Sequence, residues 1–206
     1  MDKAFYDLAE ILVCDPVAPH RAATRSALYS LGCRQIEIVA SLRDFMQALD
    51  NRPPDVAICE AQMGAAELCD AIRKLRRGEA YNPFVIIIVT AWTTSSALAS
   101  DVINSGADGL LLRPFSAAIL DQRIRTHVLN QKPFIVTDSY VGPERRDSEK
   151  QVTKAFSLVP PNSLKMKIEG RPRIDGAILQ FNAELRAAST RLADELKQRA
   201  AITQQN

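Results

Sequence analysis

The sequence predicts an α/β domain built on a doubly wound parallel sheet, followed by a C-terminal extension that ends in a long helix. Three observations carry this. Over roughly the first 130 residues, five short apolar runs alternate with stretches of helical spacing, the rhythm of a parallel sheet covered by helices on both faces. Most of these runs are continuously apolar rather than alternating with polar residues, as strands buried on both faces require. Beyond residue 130 the rhythm stops, and the chain turns charged and proline-containing until about residue 175.

The first run, Glu10 to Cys14 (EILVC), is a strand stopped by Asp15-Pro16. His20 to Leu31 has helical spacing, with Ala23, Ala27, Leu28 and Leu31 on one face and Gly32 as its end. Gln35 to Ala40 (QIEIVA) reads as a strand and Leu42 to Leu49 as a helix, broken at Pro53-Pro54. Asp55 to Cys59 (DVAIC) is the third strand; Leu68, Ala71, Ile72 and Leu75 then mark a helix running into the basic stretch Lys74 to Arg77. Phe84 to Thr90 (FVIIIVT) is the most hydrophobic strand. Thr94 is placed to cap the next helix, which carries Ala97, Leu98, Val102 and Ile103 and ends at Gly106. Gly109 to Leu112 is the fifth strand, and Ser116 caps a last helix with Ile119, Leu120, Ile124 and Val128 on one side.

Right-handed crossovers arrange five such strands in the flavodoxin-like order 2-1-3-4-5. In open sheets of this kind, sites form at the carboxyl ends of the strands, near the switch point between the first and third. Asp15, Glu60, Thr90 and Arg113 each lie at or just beyond such an end.

Those residues sit in pieces (ILVCDP, DVAICEAQM, a strand ending VTA, SGADGLLL and a terminal RPF) that resemble the receiver domain of two-component response regulators from about Glu10 to Leu129. In that family a pair of acids after the first strand helps hold Mg²⁺, and an aspartate after the third takes a phosphoryl group. A Thr or Ser ends the fourth strand, and Lys-Pro follows the fifth. The resemblance therefore implies a pocket of Asp15, Pro16, Glu60, Thr90 and Arg113, with Glu60 at the phosphoacceptor position. Three positions depart from the pattern. Pro16 replaces the second acid and offers no ligand oxygen. Glu60 reaches one methylene beyond an aspartate, which misplaces it for in-line phosphoryl transfer. Arg113 replaces the lysine with a forked, bulkier cation; Thr90 and Pro114 are retained. The segment Lys132 to Arg146 (KPFIVTDSYVGPERR), with YNPFV at Tyr81 to Val85, is further similar to alphaproteobacterial single-receiver proteins that carry a "YxGPxRR" tail.

These departures lead us to expect a phosphorylation-independent pseudo-receiver, a protein–protein interaction module of bacterial two-component-type signalling rather than an enzyme. Its expected partners are signalling proteins: a histidine kinase, a phosphotransfer protein or another regulator. No metal or cofactor is expected. A Glu60–Arg113 pair, with Arg113-Pro114 cis as the resemblance implies, would supply permanently the charge that phosphorylation supplies transiently. The same residues also admit a bland reading, a leftover pocket repaired by a salt bridge. Two functional alternatives stay open: a working phosphorelay receiver using Glu60, and a nucleic-acid-binding regulator acting through the basic tail.

The tail reading is weakened because Arg145, Arg146, Lys165, Lys167, Arg171 and Arg173 are interleaved with Glu144, Asp147, Glu149 and Glu169, with no reading motif. A net charge of +2 decides nothing about nucleic acid. With 47% hydrophobic residues the chain is globular. No apolar run approaches the roughly 18–20 residues of a membrane span. Met1 to Glu10 carries acids and no apolar core, so no secretory signal is expected. Four cysteines without an export signal fit a reduced cytoplasm, the expected location. Strand alternation turns Cys14 and Cys59 into the core as packing groups, and Cys33 and Cys69 make no ligand spacing with them. His20 and His127 have no metal or catalytic partner nearby in sequence, and Trp92 is either a contact residue or loop packing.

The expected domains are residues 1–130, receiver-like; 131–175, a solvated, partly ordered linker; and 176–206, an amphipathic helix. From Asp175, a good N-cap, the chain has no proline and is rich in strong helix formers. Ile178, Phe181, Leu185, Ala188 and Leu192 follow the 3-4 spacing of a heptad seam, and Leu196 continues it. Such a helix would be roughly 40 Å long, and its stripe needs a cover. The choices are its own receiver or a two-helix seam with a partner or second copy. Charged flanks favour the seam, and with it a possible homodimer.

Overall fold

The computed structural model describes residues 3–79, 82–137, 139–145, 156–171 and 175–203. Strands β1 (Glu10–Cys14), β2 (Gln35–Val39), β3 (Val56–Glu60), β4 (Ile86–Ala91) and β5 (Gly109–Leu112) form one parallel sheet in the order β2-β1-β3-β4-β5, as expected. The central strands β3 and β4 are buried along their whole length, whereas β2, at the sheet edge, is only partly covered.

Successive strand residues feed opposite cores. Leu12, Cys14, Ala57, Cys59, Ile87 and Val89 face α3 (Leu42–Asn51), α4 (Ala65–Lys74) and α5 (Ser96–Asn104). Ile11, Val13, Val56, Ile58, Ile86 and Ile88 face α2 (Ala18–Leu31) and α6 (Ala117–Leu129). Cys14 and Cys59 thus pack into the core, and all four cysteines are buried free thiols. A short helix α1 (Lys3–Asp7) closes the second core with Phe5 and Tyr6, and the Tyr6 hydroxyl donates to Asp121 at 2.7 Å.

The element boundaries shift for local reasons. Ser95, not Thr94, caps α5: its Oγ accepts from the Leu98 N–H at 3.1 Å. Ser116 caps α6 as read. Strand β4 begins at Ile86, because the Phe84 N–H is taken by Asn82 Oδ1 and the Phe84 ring is turned onto Phe134. The Arg113-Pro114 bond is cis.

The described parts of the segment expected as a solvated linker are instead built into the molecule. Strands β6 (Phe134–Val136), β7 (Val141–Pro143) and β8 (Phe156–Leu158) form an antiparallel sheet in the order β7-β6-β8. After it, α7 (Ser163–Ile168) sinks Leu164 into the second core. Its Lys167 bridges Glu10 and Asp55, each at 2.8 Å, beside the amino ends of β1 and β3.

Two arginines fasten the small sheet to the domain. Arg76 lies in the basic stretch that ends α4, yet is completely buried. It donates to the carbonyls of Gly106, Pro83 and Val85 and pairs with Asp108 at 2.8 Å, with Phe134 stacked on its guanidinium. From the other side, Arg145 donates to the carbonyls of Ile103 and Ala107 and to the Tyr140 hydroxyl. Tyr140 in turn donates to the Pro143 carbonyl. A Cβ on Gly142 would stand 3.0 Å from the Gly106 Cα, so both glycines are needed where the small sheet touches the domain. The tail string is therefore a docking element; Tyr81 and Arg146 lie outside the described residues.

The last helix, α8 (Asp175–Thr203), lies on its own chain. Ile178, Leu185 and Ala188 are buried, the last two with Val136 and Val141 of the small sheet. The expected two-chain seam is thus corrected for these positions, because β6 and β7 supply an apolar surface that the sequence did not announce. The side chains of Phe181, Leu192 and Leu196 lie outside the described set. Among the described residues, no helix is long and apolar enough to cross a membrane.

Candidate functional site

All four strand-end residues converge. Asp15 follows β1, Glu60 ends β3, Thr90 lies next to last in β4, and Arg113 follows β5. In-register pairing of β3 with β4 sets Glu60 beside Thr90. Asp15, Glu60 and Thr90 are fully buried, and Arg113 is only 9% exposed.

The pocket is filled by its own side chains. Arg113 Nε donates to Glu60 Oε2 at 2.8 Å, while its Nη2 donates to Asp15 Oδ2 at 3.1 Å and to Thr24 Oγ1 at 3.3 Å. Thr90 Oγ1 donates to the same Glu60 oxygen at 2.7 Å. The remaining Glu60 oxygen faces the Gln62 N–H at 3.4 Å, and the remaining Asp15 oxygen accepts from the Val17 N–H at 2.8 Å. The Phe115 ring, 4.9 Å from the guanidinium, covers it from another side. Every oxygen of both acids therefore has a partner within the chain. Such satisfaction is what buried charge requires.

This donor set does not fit Mg²⁺. That ion needs near-octahedral oxygen coordination, but the exposed Pro16 carries no side-chain oxygen. The two acids present already share one guanidinium. Among the described residues, no group of three or more His, Cys, Asp or Glu is arranged to hold a metal.

Sequence reasoning missed Thr24 and Arg21. Thr24 lies one turn before Leu28 on the buried face of α2, so helical phase pointed inward there. Arg21 donates to the Asp15 carbonyl at 2.7 Å. His20, for which no partner was evident in sequence, lies beside the pocket: its Nδ1 is 3.7 Å from Asp15 Oδ1, and its ring leans on Trp92 at 4.9 Å. Trp92 thus belongs to the rim, though 40% of it stays exposed. The Cys14 thiol, pushed up to about 12 by burial and then by Asp15, stays protonated and inert.

A five-stranded 2-1-3-4-5 sheet with an acid, a hydroxyl and a cation at its strand ends defines a receiver-type domain. Residues 11–125, more than half of the chain, match the response regulator receiver domain family, and the chain belongs to it. Over 171 residues it is 25% identical to the transcriptional regulatory protein ZraR of Escherichia coli O157:H7. That match covers 80% of this chain but only 38% of the relative's length. Among solved structures it is similar to the chemotaxis response regulator CheY4 of Vibrio cholerae, at 22% identity and TM-score 0.51, over 57% of this chain and 96% of that one. A CheY-like receiver domain protein from Methanospirillum hungatei JF-1 matches with TM-score 0.54 at 20% identity, over 60% of this chain and 96% of that one. The signal receiver domain of a response regulator from Bermanella marisrubri matches at 26% identity and TM-score 0.51, over 56% and 94% of the respective chains.

Proposed function

We propose that this receiver domain works without being phosphorylated, as an interaction module of two-component-type signalling that binds a histidine kinase, a phosphotransfer protein or another regulator. The observation that carries this reading is the state of Glu60. The side chain at the acceptor position is wholly buried, with one oxygen held by both Thr90 and Arg113. A phosphodonor needs an exposed carboxylate oxygen, in line with its leaving group and beside a metal that neutralises developing charge. Glu60 presents no such oxygen. Its charge and that of Arg113 are instead fixed, so the domain carries a standing substitute for a signal that other receivers acquire and lose.

Incubation of the protein with acetyl phosphate and Mg²⁺, followed by intact mass, tests the reading. The expected spectrum is unchanged. A stoichiometric, base-labile phosphoryl adduct would reinstate the phosphorelay alternative through Glu60.

The nucleic-acid alternative loses support for a local reason. Lys167 serves Glu10 and Asp55, Arg171 pairs with Glu169 at 2.9 Å, and Arg145 grips carbonyls of the domain. These cations of the tail are engaged within the chain rather than displayed as a phosphate-binding face. The long helix fits the same picture of self-packing, since Ile178, Leu185 and Ala188 already have their cover. Full-length protein is accordingly expected to scatter light as a monomer at tens of micromolar, and a dimer would return the two-helix seam to consideration.

A further inference from the structure

The five-stranded sheet ends at β2, and the outer side of that strand carries main-chain groups that the chain itself leaves unused. The Val39 carbonyl accepts from the Asp15 N–H, with Val39 in register beside Cys14. Main-chain groups point alternately to the two sides of a strand. Gln35, Glu37 and Val39 therefore turn theirs toward β1, while Ile36 and Ile38 turn theirs outward. Among the described residues, no strand pairs with that outer side. Beside the same edge opens a cleft of about 420 Å³, lined by Gln35, Ile36 and Glu37 of β2 and by Arg52 and Pro54 beyond α3.

The side chains along this edge state what an added strand must carry. Ile36 and Ile38 are half-buried against the second core, as is Ala27 of α2. Glu37 points to the opposite face, is exposed, and makes no ion pair among the described residues. The two neighbouring cations are already engaged: Arg52 by Glu10, and Arg34 by the carbonyls of Tyr29 and Cys33. We propose that β2 docks an extended segment of a partner protein, one with a basic residue between two apolar ones, and adds it to the sheet as a further strand. Such a triplet reads alike in both directions, so it matches Ile36-Glu37-Ile38 whether the segment enters parallel or antiparallel. Strand addition of this kind draws affinity from main-chain bonds and selects its partner through alternate side chains.

A second copy of this chain fits badly. The symmetric antiparallel register that bonds the outward groups of both isoleucines is centred on Glu37. It sets one Glu37 directly across from the other, and like charges so placed are destabilising. The acid thus guards the edge against self-pairing while leaving it open to a basic segment.

The inference rests on the reading of this chain as an interaction module, for which it names the segment received. The probe is a short fluorescein-labelled peptide with a Val-Lys-Val centre and Ser-Gly ends; its control has a Val-Glu-Val centre. Anisotropy of each is followed as full-length protein is added up to about 1 mM, the range of weak recognition, and amide hydrogen exchange locates the bound peptide. The lysine peptide should bind and slow exchange at Ile36 and Ile38, with little change at Glu37 and Val39, whose amides already face β1. Glu37→Lys, an exposed replacement, should weaken that peptide by about fivefold or more and make the glutamate peptide the better ligand. Absence of binding, equal affinity for the two peptides, indifference to Glu37→Lys, or protection at other amides each overturn the proposal. Slowed exchange at Ile36 and Ile38 that grows with protein concentration, without peptide, would assign the edge to a second copy and overturn it equally. Failure on these counts sinks the docking edge alone, whereas phosphoryl labelling of Glu60 sinks the reading beneath it.

Discussion

One methylene decides where the charge of Glu60 sits. At this length the carboxylate meets Thr90 and Arg113 together, in a closed ion pair. Because the cluster contains two acids and one base, its members should not respond equally to replacement. Arg113→Gln leaves two buried carboxylates uncompensated and is expected to lower stability by about 3–5 kcal/mol. Glu60→Gln leaves Asp15 and Arg113 as a matched pair with hydrogen-bonding partners, and is expected to lower it by only about 1–2 kcal/mol. Urea denaturation of both variants checks the order; a larger loss for Glu60→Gln would contradict this account of the charges. His127 makes a second prediction at this scale. Burial, with Arg123, Lys132 and Arg145 nearby and Asp108 in opposition, holds its imidazole below the usual value, and its Nε2 has no hydrogen-bond partner among the described residues. A depressed folded value means that the unfolded chain binds the proton more readily. The stabilising contribution is then full above about pH 6.5, the ordinary value for histidine, and is lost as pH falls from there through the folded value. Melting at pH 8 and pH 5.5 should therefore differ more for wild type than for His127→Gln; equal differences would remove His127 as a cause.

The elements divide by how they announce themselves. Strands such as Val56–Glu60 and Ile86–Ala91 were legible because burial on both faces demands unbroken apolar runs, and α6 because its cap and stripe agree. The pocket acids were legible from strand ends alone, while Thr24 and the grip of Arg113 on both acids at once needed coordinates. The small sheet was not legible: its strands are three residues long, too short for period-two patterning to register. The burial of Arg76 was not legible either, since it stands in a run of basic residues just past the end of α4. The small sheet's role makes its own prediction. Phe134 is buried against Phe84 and Arg76, so Phe134→Ala should lower stability by about 3–5 kcal/mol. At Gly142 a Cβ would meet the Tyr140 hydroxyl at 2.7 Å, so Gly142→Ala should lower it by about 1–3 kcal/mol through overpacking. Denaturation midpoints read both, and a neutral Phe134→Ala would show that the small sheet merely lies on the surface.

For the whole molecule, the receiver does not end where its last helix ends. Cutting the chain after Asn130 would strip the cover from Arg76, from the second core beside Leu164 and from the amino ends of β1 and β3. The shortened protein should melt below the full chain and expose Arg76 amide neighbours to hydrogen exchange; an unchanged melting point would restore the independent-domain view. The way this cover is attached has a further consequence. Arg145, Gln131 and Asn162 all reach across to main-chain carbonyls, at Ile103, Ala107, Phe84 and Val128. A carbonyl is the same on any residue. Tolerance to replacement should then be lopsided in a saturation scan selected for folded protein. Ile103 and Ala107 should accept conservative changes as far as their own packing allows, while their donor Arg145 accepts almost none, so that one bank of the joint can drift in sequence while the other is pinned.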